Sequence, residues 1–462
     1  MGLLDGLFGA KNNSNAAKTN PQQQVYKRPK NFNWWEHIKC PYCFEEFSHE
    51  NVSFRSETGF TSDFISEKEI ELEREEDETK KRYLSLTIQN TKNYEIKQDR
   101  VYAAFWKKMV GDENYENDKY CQMPCLSTEE GNFNEKIYDQ DGFLEAIKDK
   151  AGKKTERRIC PYCHNILPKF YGKYEVKFLS VVGITSSGKT VYLSQLIDNL
   201  EEDLYKVGCS VMYSMEATEF RKSHTVRKGY PLPAGTVVRF VPPLFFTVQG
   251  KRNVTLVAYD IAGEACVDVE NIATYGSFIK NSDGILMLID PGQFKGLHAA
   301  LENVSAQITE DEKASPTAVL SAVHGAFTGG SNERSNIPLA ITISKSDMLF
   351  DITDSAGDLL IPFNSNIRQD VAPTQDRRFN YIDYQNVNAD VSIMVSRQFP
   401  ALHTTITNNF TKYGYFAVSA LGCDVEYVET GDGLTWTPAT DPMPLRIEEP
   451  FCWILKEWDV IN

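Results

Sequence analysis

The chain has 462 residues, 41% hydrophobic and 24% charged, and its 49 Lys and Arg against 64 Asp and Glu give a net charge of −15. At roughly 150 residues per domain, that length predicts two or three domains with ample material for a core. The acidic balance argues against a protein that coats nucleic-acid phosphates, and no apolar run approaches the roughly 18 residues of a membrane-spanning helix.

Residues 1–30 read as a flexible tail. Met1-Gly2-Leu3-Leu4-Asp5 has no basic n-region, so a secretory leader is not expected. Leu3, Leu4, Leu7 and Phe8 would share one face of a short helix, a minor signal for membrane or partner docking. The stretch 12–24 is polar and contains a proline, which predicts a linker.

Residues 31–173 read as a metal-binding module. Cys40-Pro-Tyr-Cys43 and Cys160-Pro-Tyr-Cys163 supply four thiolates. Two residues between cysteines let a tight knuckle aim both sulfurs at one ion, so the pattern predicts one closed, structural Zn²⁺ site. Two identical pairs favour metal over redox chemistry, and thiolates kept free imply a reducing cytoplasm. About 116 residues separate Cys43 from Cys160, so 44–159 is read as an inserted region. Cys121 and Cys125, with His164 or His49, are candidates for part of a second site, but buried thiols are the favoured reading. Cys209, Cys266, Cys423 and Cys452 show no pairing pattern and read as core residues. The mixed-charge run 66–82 predicts one solvent-exposed helix.

From about residue 174 the pattern changes. A strand over 175–182 turns continuously apolar, a Gly-rich turn follows, and 191–197 is helical. Apolar runs recur at 244–248, 254–259, 284–289, 337–343 and 415–418. The predicted fold class is therefore α/β: a P-loop NTPase with a mostly parallel sheet, preceded by the zinc-knuckle module and its α+β insertion. The close pair 244–248 and 254–259 reads as a hairpin that introduces one antiparallel strand. Helical insertions are expected at about 291–336, starting with a helix over 297–308, and at about 351–411. A last helix is expected over 445–458, interrupted at Pro450.

Gly183-Ile-Thr-Ser-Ser-Gly188-Lys189-Thr190 fits the phosphate-loop pattern GxxxxGK[ST] between a strand and a helix. Gly183, Thr185, Ser186, Ser187, Gly188 and Val191 are expected to form the cradle, with Lys189 neutralising β and γ oxygens and Thr190 ligating Mg²⁺. Asp260-Ile-Ala-Gly263-Glu264 ends the 254–259 strand, where a carboxylate can reach the magnesium and the Gly263 N–H a γ-phosphate. Ser344-Lys345-Ser346-Asp347 closes another apolar run. An Asp there can accept from guanine N1–H and N2–H₂, and Lys345 can lie along the base plane. Ser419-Ala420-Leu421 follows the 415–418 strand, where the Ala420 N–H can meet guanine O6.

In order, GITSSGKT, DIAGE, SKSD and SAL resemble the G1, G3, G4 and G5 motifs of the translation-factor-related and Ras-like (TRAFAC) GTPases. The paired CPYC knuckles, the LFFTV–VAYDIAGE hairpin and SDGILMLIDP resemble the bacterial double-GTPase families within that class. The resemblance implies a GTP-binding and GTP-hydrolysing switch using GTP/GDP and Mg²⁺. Its partner would be a second GTPase or an effector, in a conflict, defence or signalling system. Ser344 departs from the usual Asn or Thr, losing an amide bridge to the phosphate loop. Glu264 stands where Gln is common and is a candidate to orient the attacking water. Thr218, Thr225 and Thr236 are all available for switch I, with Thr236 leading because it lies just before the hairpin. Arg221, Arg227 and Arg239 are candidates for an arginine finger. The alternatives are a GTP-stabilised scaffold and, less favoured on charge and motif grounds, a nucleic-acid-associated ATPase.

Overall fold

The computed structural model describes residues 32–56, 62–93, 99–111, 120–121, 123–129, 133–149, 152–183, 187–233, 242–262, 277–293, 297, 301, 315–354, 356–430 and 433–462. Its centre is a sheet of seven strands: β1 (Glu175–Gly183), β2 (Ser210–Tyr213), β3 (Leu244–Gln249), β4 (Asn253–Ala262), β5 (Gly284–Ile289), β6 (Leu339–Ile343) and β7 (Tyr413–Ala417). They lie side by side in the order β2-β3-β4-β1-β5-β6-β7. Neighbours from β4 to β7 pair in parallel, whereas β3 runs antiparallel to both β2 and β4. The mostly parallel sheet with one reversed strand is the architecture that the apolar runs predicted. β2 left no such run: Ser-Val-Met-Tyr is four residues at the sheet edge, none of them buried.

Helices α1 (Lys189–Lys206), α2 (Met215–Ser223), α3 (Pro316–Thr328), α4 (Tyr381–Gln398), α5 (Pro400–Asn409) and α6 (Glu449–Glu457) accompany the sheet. One face of the sheet, carrying Leu179, Val181, Leu256, Leu286 and Phe416, packs on Leu193, Leu196 and Ile197 of α1 and on Trp453 and Ile454 of α6. α6 runs unbroken, with Pro450 in its first turn rather than interrupting it, because a first-turn residue needs no intrahelical N–H bond. Between β5 and β6 the described helix is α3, capped by the Ser315 hydroxyl and closed by left-handed Gly329. The helix expected over 297–308 lies almost wholly outside the described residues.

The amino-terminal part is built from small antiparallel sheets. Ser53–Arg55 is flanked by Cys125–Leu126 and Arg158–Ile159, and Leu144–Lys148 by Glu135–Tyr138 and Lys154–Thr155. The charged run forms two helices, Ser62–Arg74 and Glu78–Asn93, where one was expected. Asp77 makes the break: its Oδ1 accepts the N–H groups of Thr79 and Lys80, a cap that starts a second helix. Residues Asn33–Asn462 form one compact unit. The second face of the sheet therefore meets this part directly, through Phe178, Phe245 and Tyr259 against Tyr42 and Phe44.

Candidate nucleotide site and candidate metal centre

β1 ends at Gly183 and α1 starts at Lys189, so Gly183 and the start of α1 lie at the carboxyl end of the parallel sheet. That is where open α/β sheets place their ligands. A Cβ on Gly183 would sit 2.5 Å from Ser187 Oγ and 2.9 Å from the Leu288 carbonyl, so only glycine lets the end of β1 lie this close to Ser187 and β5. Gly188 caps α1 in the left-handed region (φ +77°). Lys189 Nζ donates to the Gly183 carbonyl at 2.6 Å, which holds the ammonium across the base of the loop. Ser187 is buried, and its Oγ has no hydrogen-bond partner. Thr190 and Val191 follow in the first turn of α1, both half-buried.

Asp260 lies on the neighbouring strand, in register with Val181, two residues before Ala262 pairs with Gly183. Val181 packs under α1, so alternation along the strands turns Asp260 toward the helix that begins at Lys189 and Thr190.

The segment after β6 is tied down on both sides. Ser344 gives its N–H and its hydroxyl to the Ile289 carbonyl, at 2.9 and 3.1 Å. The Ser346 N–H reaches the Val418 carbonyl at 3.0 Å, which joins this segment to the Ser419 loop. Lys345 takes a left-handed backbone (φ +50°), its Nζ binds Asp290 Oδ2 at 2.5 Å, and its Cε lies 3.9 Å from where a Cβ on Gly188 would stand. Asp347 Oδ1 is buried and has no hydrogen-bond partner. Ser419 pairs with Leu445 through two backbone hydrogen bonds, its Oγ accepts the Gly422 N–H, and Ala420 packs at the edge of the core.

The folded chain thus brings 187–190, Asp260, 344–347 and 419–420 to the carboxyl end of one sheet. Thr185, Ser186, Thr236, Arg239, Gly263, Glu264 and Cys266 lie outside the described residues. Of the other switch I candidates, Thr218 spends its hydroxyl on Ser214 O at 2.8 Å within α2, and Thr225 bonds back to Arg221 O. Arg221 pairs with Asp198 and Arg227 stacks over Tyr230.

The four predicted metal ligands converge, with the Sγ atoms of Cys40, Cys43, Cys160 and Cys163 all within 4.8 Å of one another. Cys40 and Cys163 are 3.6 Å apart, and Cys43 and Cys160 3.7 Å. Four sulfurs at about 2.3 Å around a tetrahedral zinc stand roughly 3.8 Å apart, so the donor set and its spacing fit that ion. The knuckles share their backbone bonds. Cys40 Sγ accepts the Tyr42 N–H and Cys160 Sγ the Tyr162 N–H, each at 3.4 Å. Phe44 and His164, the residues after each second cysteine, both have positive φ.

No second metal cluster forms among the described residues. Cys125 Sγ lies 3.9 Å from His164 Nε2, but the other ring nitrogen binds Asp99 at 2.8 Å, and Arg55 clamps Asp99 at 2.6 Å. Burial works against charge on His164, yet the hydrogen bonds to Asp99 and Cys125 prevail and push its pKa up to about 10. This is a structural ion-pair network under the second knuckle, which sequence spacing did not disclose. Asp290 was missed as well: SDGILMLIDP contains it, but none of the four nucleotide motifs does.

No protein-family model matches the chain. A Mycolicibacterium smegmatis protein named "Putative ESX-1 scaffolding and assembly protein SaeC" is 25% identical over 324 residues, which cover 66% of this chain and 80% of that protein. Among solved structures, the Arl6 BBS3 small GTPase of Trypanosoma brucei with a bound GppNp analogue is 13% identical over 62% of this chain and 99% of its own, with a TM-score of 0.24. A GTP-binding protein of Sulfolobus solfataricus in complex with GDP is 14% identical over 53% of this chain and 47% of its own, with a TM-score of 0.22. Scores this low carry no argument. The assignment of a P-loop α/β fold rests on the strand order, the GxxxxGKT sequence and the geometry at Gly183 and 187–190.

Proposed function

We propose that the chain is a guanine-nucleotide-binding switch that hydrolyses GTP and carries a structural zinc. The observation that carries this reading is that Lys345 and Asp347 share one short segment, with Lys345 Cε against Gly188 and a buried, unpartnered carboxylate oxygen two residues on. One segment then addresses both ends of a nucleotide. Lys189 binds the phosphates, Thr190 and Asp260 hold the magnesium, and Asp347 takes guanine N1–H and N2–H₂ while Ala420 N–H meets O6. Bound magnesium supplies charge neutralisation at the β and γ oxygens. Gly263 and Thr236 belong to the segments that order around a γ-phosphate, and Glu264 orients the water. The four cysteines hold zinc in a reducing compartment. On the double-GTPase likeness, the partner is a second GTPase or effector in a conflict or signalling system.

Fluorescent GDP binding, competed with GTP, GDP, ATP and XDP, tests the reading. Lys189→Ala should abolish binding, and Asp347→Asn should trade guanine for xanthine, whose C2 oxygen accepts from an amide. Equal competition by ATP and GTP would sink it. A second reading, a nucleotide-stabilised scaffold with slow turnover, draws on the relative named for ESX-1 scaffolding and assembly. Tight GDP binding with no phosphate release, alone or with a partner, would favour it. Among the described residues no helix is long and apolar enough to cross a membrane.

A further inference from the structure

Asp290, directly after β5, is 7% exposed and belongs to none of the nucleotide motifs. Its Oδ1 accepts the Gly292 N–H at 2.8 Å, which fixes the carboxylate, and its Oδ2 takes the Lys345 ammonium. A buried carboxylate without a cation is costly, so the pair holds Lys345 in place as firmly as Lys345 neutralises Asp290. Ser344, which stands where an amide side chain would bridge to the phosphate loop, spends its hydroxyl on Ile289 O. Among the described residues, this segment approaches the start of α1 through Lys345, whose Cε lies 3.9 Å from where a Cβ on Gly188 would stand.

We propose that Asp290 is a positioning residue for guanine-nucleotide binding, anchoring Lys345 between phosphate loop and base in place of the amide bridge that Ser344 cannot make. The proposal rests on the switch reading above. It explains how the chain can lack that amide and still fix the distance between phosphate and base sites. β5 sits between the strand that feeds the phosphate loop and the strand that feeds 344–347, so its carboxyl end touches both.

The test is equilibrium binding of fluorescent GDP to wild type, Asp290→Asn, Ser344→Asn and the double variant, with ATP competition for each. Asp290→Asn keeps the Gly292 contact and loses the charge. It should weaken GDP binding about tenfold, the scale of one charge-assisted contact, and narrow the preference for GDP over ATP. Ser344→Asn should change wild type little and restore much of the loss in the double variant, which a merely structural defect would not allow. Zinc content should be equal in all four. If Asp290→Asn does not fold, Lys345→Gln reads the same tie from its exposed end and must show the same loss and the same rescue. Wild type that binds no guanine nucleotide overturns the switch reading and this one together. Wild type that binds, with Asp290→Asn binding equally or unrescued, overturns only the role of Asp290.

Discussion

Tyr259 Oη donates a 2.7 Å hydrogen bond to the Pro41 carbonyl, so the first cysteine knuckle is bonded to the strand residue immediately before Asp260. Tyr259 is fully buried among Phe44, Phe178 and Phe278, and that burial pushes its hydroxyl well above the ordinary tyrosine range, which keeps it a donor. The metal knuckle and the proposed magnesium carboxylate are thus joined by one hydrogen bond and one peptide link. Tyr259→Phe keeps the ring and leaves the Pro41 carbonyl unpaired, at about 1–3 kcal/mol. Thermal unfolding should show that loss with zinc content unchanged, and magnesium titration of nucleotide binding should shift to higher concentration. An unchanged magnesium dependence would mean that the bond serves stability alone. If the path couples the sites, reciprocity requires bound nucleotide to slow zinc loss to a chelator.

Metal removal should be costly. Cys40 and Cys160 are wholly buried and Cys163 nearly so, and burial together with the neighbouring sulfurs pushes the Cys40 thiol far above its ordinary value. Four thiols forced together without a cation are strained for charge or for protons, and a metal resolves both. Protein isolated without added metal should carry one zinc per chain by elemental analysis. Chelation under denaturing stress, or Cys160→Ser, should lower stability by several kcal/mol, on the order of a small structural zinc site. Metal-free protein with an unaltered melting curve would contradict the closed-site assignment.

Gly183→Ala should weaken nucleotide binding while leaving most of the sheet in place. The new Cβ meets a serine hydroxyl that can swing away, but also the Leu288 backbone carbonyl at 2.9 Å, which cannot. Such overpacking costs about 1–3 kcal/mol and moves β1 from β5 at the loop mouth. Circular dichroism should stay near wild type while GDP affinity falls by at least roughly tenfold. Retained affinity would show that the phosphate loop opens before it binds.

The parts of the fold legible in the sequence were those with a local chemical reason. A GxxxxGKT loop between strand and helix, carboxylates at strand ends and CxxC knuckles each encode their geometry within a few residues. Cys40 and Cys163 meet across the whole inserted region, and their partnership could be read because both knuckles repeat one pattern. Asp290, Tyr259 and the Arg55–Asp99–His164 network were not legible, because each acts through a contact between distant segments. Asp77 shows the smaller failure: in a run dense in charge, a capping Asp looks like any other acid until its backbone acceptors are seen. β2 failed for length, being too short to display a period.

Glu448 gives the chain a pH dependence of definite sign. It precedes α6 and is 7% exposed beside Asp203 of α1, in a small pocket that Lys206, Val371, Arg378 and Phe379 also line. Burial first, then the negative charges of Asp203 and Asp370, push it up to about 8, against weaker pulls from a backbone hydrogen bond and from Lys206. Asp203 is raised too, chiefly by burial, with Lys206 Nζ on its Oδ1 at 2.9 Å. The two carboxyls therefore titrate as a pair. A carboxyl whose folded pKa lies above its unfolded value stabilises the fold fully below the unfolded value, about 4.3, and that contribution is lost as pH rises toward 8. Glu448→Gln cannot ionise, so its stability should match wild type near pH 4.5 and exceed it above pH 8. The gap should be on the order of 2 kcal/mol, reduced from the single-site value because Asp203 shares the proton. Paired denaturant titrations of both proteins at several pH values between those limits would check it. A gap that stays constant with pH would mean that Glu448 is ionised in the fold throughout, with Lys206 rather than a proton answering its charge.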